Sequence, residues 1–453
     1  MSFQKEYKEK LRTAAEVAAL VESNQTIKLG YFNGKPNILV KALAERHAEL
    51  ENILLMSAVT VLPVPEVISY PETFKYIDWH WSLLTRMLDN HYDNLTYAPL
   101  LYSMCVRFIE RYEVNKGNEV KWNWQQVAPM DEFGYFNFGP SCSESLVTAR
   151  TATLTCVEVN KNMPVCLGGN QESIHISQID YIVEAPDDQE IMAAPEIPAP
   201  NEDEVTMAKH ILEYIKDGSC LQLGIGGLPN AIGALLNDSD LKDLGVHTEM
   251  LVDAFVDLIE SGKANGARKN INKFKAVYTF AIGTQRLYDF MHNNTALATY
   301  PVDYANDPRI IGQHDDFVSI NQAIQVDLVT QVNAESMGYK QISGNGGMID
   351  FVLGAQWSKN GKSFICLPSS YTDKEGVLHS RIVPSFAPGT SVTVSRHLVD
   401  YIATEYGVRK MKAQSQWVRT ENIIEISHPR FRDDLIKAAA EAKLWTKTNK
   451  IAP

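Results

Sequence analysis

Twice in this chain a short apolar run ends on a glycine turn and passes into a helix-forming segment with a proline near its start. The first copy is Ile27-Lys28-Leu29-Gly30 followed by Gly34-Lys35-Pro36-Asn37-Ile38. The second is Leu221-Gln222-Leu223-Gly224 followed by Gly227-Leu228-Pro229-Asn230-Ala231-Ile232. Proline is tolerated in the first turn of a helix because the amide it lacks would have had no intrahelical acceptor. Each copy is followed by a further apolar run, Ile53 to Met56 and Leu244 to Val252. Other strand-like runs are Thr26 to Phe32, Thr153 to Val159, Cys220 to Leu223, Val277 to Phe280 and Ser363 to Leu367. Strand-like runs alternating with helical periodicity predict a layered α/β fold with a mostly parallel sheet. The repeat predicts two open α/β domains of related design.

A chain of 453 residues exceeds what one hydrophobic core usually supports. The segment from Glu184 to Glu204 carries Pro186, Pro195, Pro198 and Pro200 among many acidic residues. Proline removes backbone donors and fixes φ, so such a stretch neither pairs in a sheet nor continues a helix. The expected organisation is an N-terminal domain over residues 1–190, a linker over 191–204 and a C-terminal domain over 205–453.

The formal net charge of -13 argues against a surface built to coat nucleic acid or an anionic membrane, either of which needs a basic face. No run approaches the roughly 18 apolar residues of a membrane helix. Met1 to Asn24 reads as one charged amphipathic helix, with Lys5, Lys8, Lys10 and Arg12 among Glu6 and Glu9, and holds no apolar core of signal-peptide length. The expectation is a soluble cytoplasmic protein. Six scattered cysteines, Cys105, Cys142, Cys156, Cys166, Cys220 and Cys366, form no close pair of the zinc or redox kind and are expected as buried small hydrophobes, with no metal implied.

Three stretches can carry chemistry. Gly224-Ile225-Gly226-Gly227 follows a strand and opens a helix, so its amides either face an anion at the positive helix end or simply make a turn. Gln341-Ile342-Ser343-Gly344-Asn345-Gly346-Gly347 precedes an apolar helical run, and either presents consecutive amides to an oxyanion or supplies a tight turn needing positive φ. In Gly245-Val246-His247-Thr248-Glu249-Met250-Leu251-Val252-Asp253 a carboxylate interrupts an apolar run at a strand's end, where ligands of open α/β sheets sit. If the strand runs on through Glu249, His247 shares its face. Glu249 is either catalytic or a solvated edge residue.

Taken together, these stretches resemble the acetyl-CoA hydrolase/transferase family, and most of all its 4-hydroxybutyrate and butyrate CoA-transferases. The resemblance is carried by Leu221-Gln222-Leu223-Gly224-Ile225-Gly226, His247-Thr248-Glu249-Met250, Arg286-Leu287-Tyr288-Asp289-Phe290, Pro301-Val302-Asp303-Tyr304, Gln341-Ile342-Ser343-Gly344, Gly346-Gly347 and Thr404-Glu405-Tyr406-Gly407, with His428-Pro429-Arg430-Phe431-Arg432-Asp433-Asp434-Leu435 near the end. It is dense from Leu221 onward and thinner before, where Asp131-Glu132-Phe133-Gly134 and Glu158-Val159-Asn160 stand out.

The resemblance implies that Glu249 attacks an acyl-CoA carbonyl and carries CoA as a glutamyl thioester, a covalent route with ping-pong kinetics. It implies an active site between the two domains, with the catalytic glutamate and the glycine loop on the C-terminal one. Gly346 and Gly347 then serve as oxyanion donors and Gly224 and Gly226 border the carboxylate or thioester. Asn306, Gly344 and Gly347 contact CoA, and no cofactor is permanently bound. The partners implied are acyl-CoA and carboxylic acid substrates and a second copy of the chain in a homo-oligomer.

Lys263, Arg268, Lys269 and Lys273 form a basic cluster that reads either as a site for CoA phosphates or as a solvated helix face. The loop departs from the family at Met348, where a Gln is usual, and at Asn345, where a small or apolar residue is usual. The aromatic stretch through Tyr135, Phe136 and Phe138 is expected to shape the acyl pocket, whose acid is short: acetate, butyrate, 4-hydroxybutyrate or a dicarboxylate such as itaconate. A hydrolase would use the same Glu249 with water as acceptor. A non-catalytic acyl-CoA sensor would be expected to lose the carboxylate or the glycine donors, and both are present. A nicotinamide dehydrogenase is opposed by the glycine spacing and the lack of an acidic ribose partner.

Overall fold

The computed structural model describes residues 3–111, 119–192 and 198–444. They fall into two compact units. The first comprises Met1–Ala194, Glu249–Leu251 and Val277–Ala305; the second comprises Pro195–Thr248, Val252–Ala276 and Asn306–Pro453. Part of the expected linker, residues 193–197, lies outside the described residues. Its last acidic residues begin the helix Glu202–Leu212, because Asn201 and Glu204 close a capping box and acids suit the first turn.

The first unit is built on seven strands: β1 Thr26–Leu29, β2 Ile53–Ser57, β3 Phe74–Asp78, β4 Leu95–Tyr97, β5 Val120–Val127, β6 Leu154–Val159 and β7 Tyr181–Glu184. They lie in the order β4-β3-β2-β1-β5-β6-β7, every pair parallel. Parallel sheets are covered on both faces. One face packs Ile27, Leu29, Leu55, Phe74, Tyr76 and Trp122 against helix Ile38–Ala44. The other packs Val127, Val157 and Ile182 against Phe136, Phe138 and Leu146. The order reverses beside β1, so the carboxyl ends of β1 and β5 open a crevice of the kind that binds ligands in open α/β sheets.

The second unit holds β8 Cys220–Gln222, β9 Gly245–Val246, β10 Phe317–Gln322, β11 Lys362–Cys366, β12 Tyr401–Thr404 and β13 Gly407–Lys410. Their order is β9-β8-β10-β11-β12-β13, parallel except for the final hairpin. β8 stands between β9 and β10 as β1 stands between β2 and β5, so the two copies of the repeat occupy equivalent strands. The expected class, two open α/β units with mostly parallel sheets, is the one found.

The amino-terminal segment departs from expectation. In place of one helix there are two, Phe3–Lys10 and Ala14–Ala18, because Thr13 and Glu16 make a capping box that starts a second helix. Leu11 meanwhile bridges to Ile182 of β7. All six cysteines are buried. Among the described residues no helix is long and apolar enough to cross a membrane.

Candidate active site

Glu249 does not continue a strand. β9 stops at Val246, the chain bends at Thr248–Glu249, and a new strand, Met250–Leu251, pairs with Phe280–Ala281. The break moves Glu249 into the first unit, where its carbonyl accepts the amides of Thr279 at 3.0 Å and Phe280 at 3.2 Å. The shared strand face expected for His247 and Glu249 therefore does not form. His247 is instead buried in the second unit, its Nδ1 3.1 Å from Nε2 of His314.

Around Glu249 the first unit gathers aromatic rings that sequence reading missed. Tyr31, at the carboxyl end of β1, stacks on Tyr102 with centroids 5.1 Å apart and 16° between planes. Phe280 stands edge-on to Tyr31 at 5.0 Å. Burial, and after it the negative charge of Glu249, pushes the Tyr31 phenol well above its ordinary range. The Tyr102 phenol is pushed up chiefly by burial, then by Tyr31 and Glu144, with a smaller contribution from Glu249. Both remain neutral hydroxyls at ordinary pH. Perturbed groups of this kind cluster where chemistry is done. Glu249 itself is half-buried beside them, and a carboxylate in such a setting is a group that can serve as a nucleophile toward an acyl carbon.

Behind the rings runs a buried polar chain. The Tyr102 and Ser143 hydroxyls are hydrogen-bonded, the Ser143 hydroxyl donates to Oε2 of Glu144, and Oε1 of Glu144 accepts the Lys28 ammonium at 3.0 Å. Lys28 also lies 3.2 Å from the centre of the Trp79 ring. Burial lowers the Lys28 pKa and Glu144 opposes that shift. Ser143 has φ 37°, a left-handed conformation uncommon outside glycine that marks a position held by its surroundings. A lysine inside an apolar strand was the sequence signal available for this chain.

In the second unit the two glycine stretches sit where expected, at helix starts. Gly226, with φ 127°, caps helix Gly227–Asp238, a conformation only glycine adopts with ease. No atom lies within 4 Å of where a Cβ on Gly224 would stand, which leaves open space at the carboxyl end of β8. The Glu204 carboxylate, however, rests against Gly227 and already supplies negative charge at that helix start. Gly346, with φ 51°, leads into Gly347, the cap of helix Met348–Trp357. The amides of Gly346 and Gly347 find no acceptor among the described residues, as expected of a helix N-terminus able to take an anion. Gly344 is buried in the same loop, whose Ile342 and Ser343 amides bond the Glu335 carbonyl at 2.7 and 3.0 Å. Met348 enters the core, and Asn306 is fully buried.

Two other expectations fail. Phe136 and Phe138 are core residues, and the exposed Tyr135 packs edge-on to His175. The basic cluster is not a helix face, since Gly262 and Gly266 at φ 77° and 67° turn the chain there. Arg268 pairs with Asp243 at 2.9 Å, and Lys263 donates to the Ser239 carbonyl. Lys269 is buried, donating to the carbonyls of Val246 at 2.9 Å and Lys275 at 2.6 Å, and burial lowers its pKa from 10.5 to about 8. The unfolded chain then holds more protons than the folded one between pH 8 and 10.5, so this group makes stability rise with pH across that window. Urea unfolding of Lys269→Met at a series of pH values should show a stability relative to wild type that falls by on the order of 3 kcal/mol from pH 7 to pH 10.5. A pH-independent difference would contradict the lowered pKa.

The sequence profile of the acetyl-CoA hydrolase/transferase N-terminal domain matches residues 1–194, and that of the C-terminal domain matches residues 283–439. Over 455 residues, 99% of this chain and 100% of the relative, there is 46% identity with the butyryl-CoA:acetate CoA-transferase of Anaerostipes caccae. The 4-hydroxybutyrate coenzyme A transferase of Clostridium kluyveri is 37% identical over 96% of this chain and 98% of its own. The crystal structure of RipA from Yersinia pestis matches at TM-score 0.89 and 34% identity, covering 98% of this chain and 100% of that one.

Proposed function

The chain belongs to the acetyl-CoA hydrolase/transferase family and is a CoA-transferase, and from that premise we propose that it moves CoA from a short-chain acyl-CoA to a free carboxylate with Glu249 as the carrier. The observation that carries this reading is the half-buried Glu249 carboxylate among phenols that stay neutral. One oxygen of the Glu249 carboxylate adds to the thioester carbonyl, and the carbon–sulfur bond breaks. The products are a mixed anhydride and the CoA thiolate. The thiolate then adds to the glutamyl carbonyl of the anhydride, releasing the first acid as its carboxylate and leaving a glutamyl-CoA thioester. The acceptor carboxylate reverses both steps. No net proton is consumed, so no general base is required.

The negative charge that develops on the acyl oxygen calls for fixed donors, which are worth several kcal/mol in such sites. We assign that role to the amides of Gly346 and Gly347, with Gly224 and Gly226 bordering the acid and Asn306 and Gly344 on the CoA side. Acetate, butyrate or 4-hydroxybutyrate as the acid, ping-pong kinetics, a cytoplasmic location and a homodimer belong to the same proposal.

The test is to incubate the protein with butyryl-CoA and no acceptor, reduce with borohydride, digest, and locate the modified residue by mass spectrometry. Reduction at Glu249 is the expected result. An unmodified protein with every short acyl-CoA tried, or an adduct at another side chain, would remove Glu249 from the role.

A further inference from the structure

Along β1 the side chains alternate, Ile27 and Leu29 entering the core while Lys28 turns to the opposite face. There Lys28 and Glu144 are each only 3% exposed. Proton bookkeeping fixes the direction of the chain they begin. A serine hydroxyl has one proton, and that of Ser143 goes to the acceptor-only Glu144 carboxylate. The Ser143 oxygen must then accept from Tyr102, whose hydroxyl is thereby committed. Anchored at its hydroxyl, the Tyr102 ring stacks on Tyr31, and Phe280 closes the edge. The Phe280 amide bonds the Glu249 carbonyl, so the rings and the carboxylate share one backbone frame. Ser143 is itself pinned on both sides, its amide on the Thr279 carbonyl at 3.1 Å and its carbonyl under the Val302 amide at 3.0 Å.

Two buried cations that share the field of Glu144, Lys28 and Lys35, are already engaged. Lys28 is held by Glu144, and Lys35 donates to the carbonyls of Ala58 and Val59 at 2.5 and 2.6 Å. A second carboxylate on the acyl chain would lie against aromatic faces, whose quadrupole is negative. Burying an unpaired charge there is costly.

We propose that Ser143 and Glu144 are positioning residues for the Tyr31–Tyr102–Phe280 wall, and that this wall restricts the acyl group beside Glu249 to short, uncharged chains. The proposal rests on Glu249 being the acyl acceptor. It assigns the acyl specificity to a hydrogen-bond chain whose far end never touches substrate.

The experiment measures kcat/KM for acetyl-, butyryl-, hexanoyl- and succinyl-CoA at one acceptor concentration, with borohydride trapping and thermal melting alongside. The proteins are the wild type, Ser143→Ala, Tyr102→Phe and the double variant. Wild type should use succinyl-CoA at least about a hundredfold less well than butyryl-CoA. Either single change frees the Tyr102 ring and should raise the hexanoyl-to-butyryl ratio about tenfold, and the double variant should add little because both act through one chain. A variant destabilised without a positioning role would lose rate with all four donors alike and leave the ratio unmoved. Should Ser143→Ala fail to fold, Tyr102→Phe keeps the ring and removes only its anchor. Unmoved ratios alongside a trapped Glu249 adduct, or succinyl-CoA used as well as butyryl-CoA, overturn this proposal alone. A wild type with no Glu249 adduct overturns the nucleophile and this proposal with it.

Discussion

Glu249→Gln should lower kcat/KM by at least about three orders of magnitude, the scale seen when a covalent nucleophile is removed. The amide keeps the size and polarity of the side chain but offers no anionic oxygen to the thioester. Binding of the acyl-CoA, measured directly by calorimetry, should change little, because the long CoA tail offers binding energy remote from the reacting carbon. Glu249→Asp should fall between, near a hundredfold loss, since the carboxylate is retained but drawn back by one methylene, a displacement of roughly 1 Å in a reaction sensitive to that distance. The aspartyl variant should still yield a trapped thioester, and the glutaminyl variant none. If Glu249→Gln retained a tenth of the wild-type rate, another group would have to carry CoA.

Removing the Glu144 carboxylate should produce the largest loss of stability. In Glu144→Ala the Lys28 ammonium, with a side chain 3% exposed, loses its ion-pair partner at 3.0 Å. Breaking a buried pair from one side typically costs about 3–5 kcal/mol. Lys28 can relieve part of this by giving up its proton, because burial already depresses its pKa. The loss measured by urea unfolding should therefore shrink as pH rises toward 10. The double change Lys28→Met/Glu144→Leu removes both charges and should restore most of the stability, since apolar replacements of buried pairs are often neutral or better. Equal losses in the single and double variants would mean that the pair contributes nothing by its charge.

The legible parts of the fold were those settled by near neighbours in sequence. Cys220–Gln222 and Lys362–Cys366 are strands because apolar runs end on turn residues, and Gly226 and Gly347 start helices as their spacing requires. Glu249 was singled out through its sequence context. Its surroundings were not legible, because Tyr31, Tyr102 and Phe280 are far apart in the chain and meet only through the sheet and its loops. Local pattern also misled where a short-range device overrode it. The Thr13 capping box cut the expected first helix in two, the bend at Glu249 ended a strand that alternation would have carried through, and Gly262 and Gly266 dissolved the supposed basic helix face. The aromatic residues Phe136 and Phe138 looked like pocket walls only because sequence does not distinguish a core face from a ligand face.

The assignment of Glu249–Leu251 and Val277–Ala305 to the first unit bears on how this molecule can be cut. The proline-rich segment invites division into two separately expressed fragments, yet a fragment beginning near residue 198 would take Glu249 and Phe280 with it and leave Tyr31 and Tyr102 behind. Phe280, which bridges to Ser141, and Thr299, which bridges to Gly168, would lose partners supplied by the other fragment. Two such pieces should recover transfer only when co-expressed or mixed, which makes the enzyme a candidate for a complementation reporter whose covalent signal appears only on reassembly.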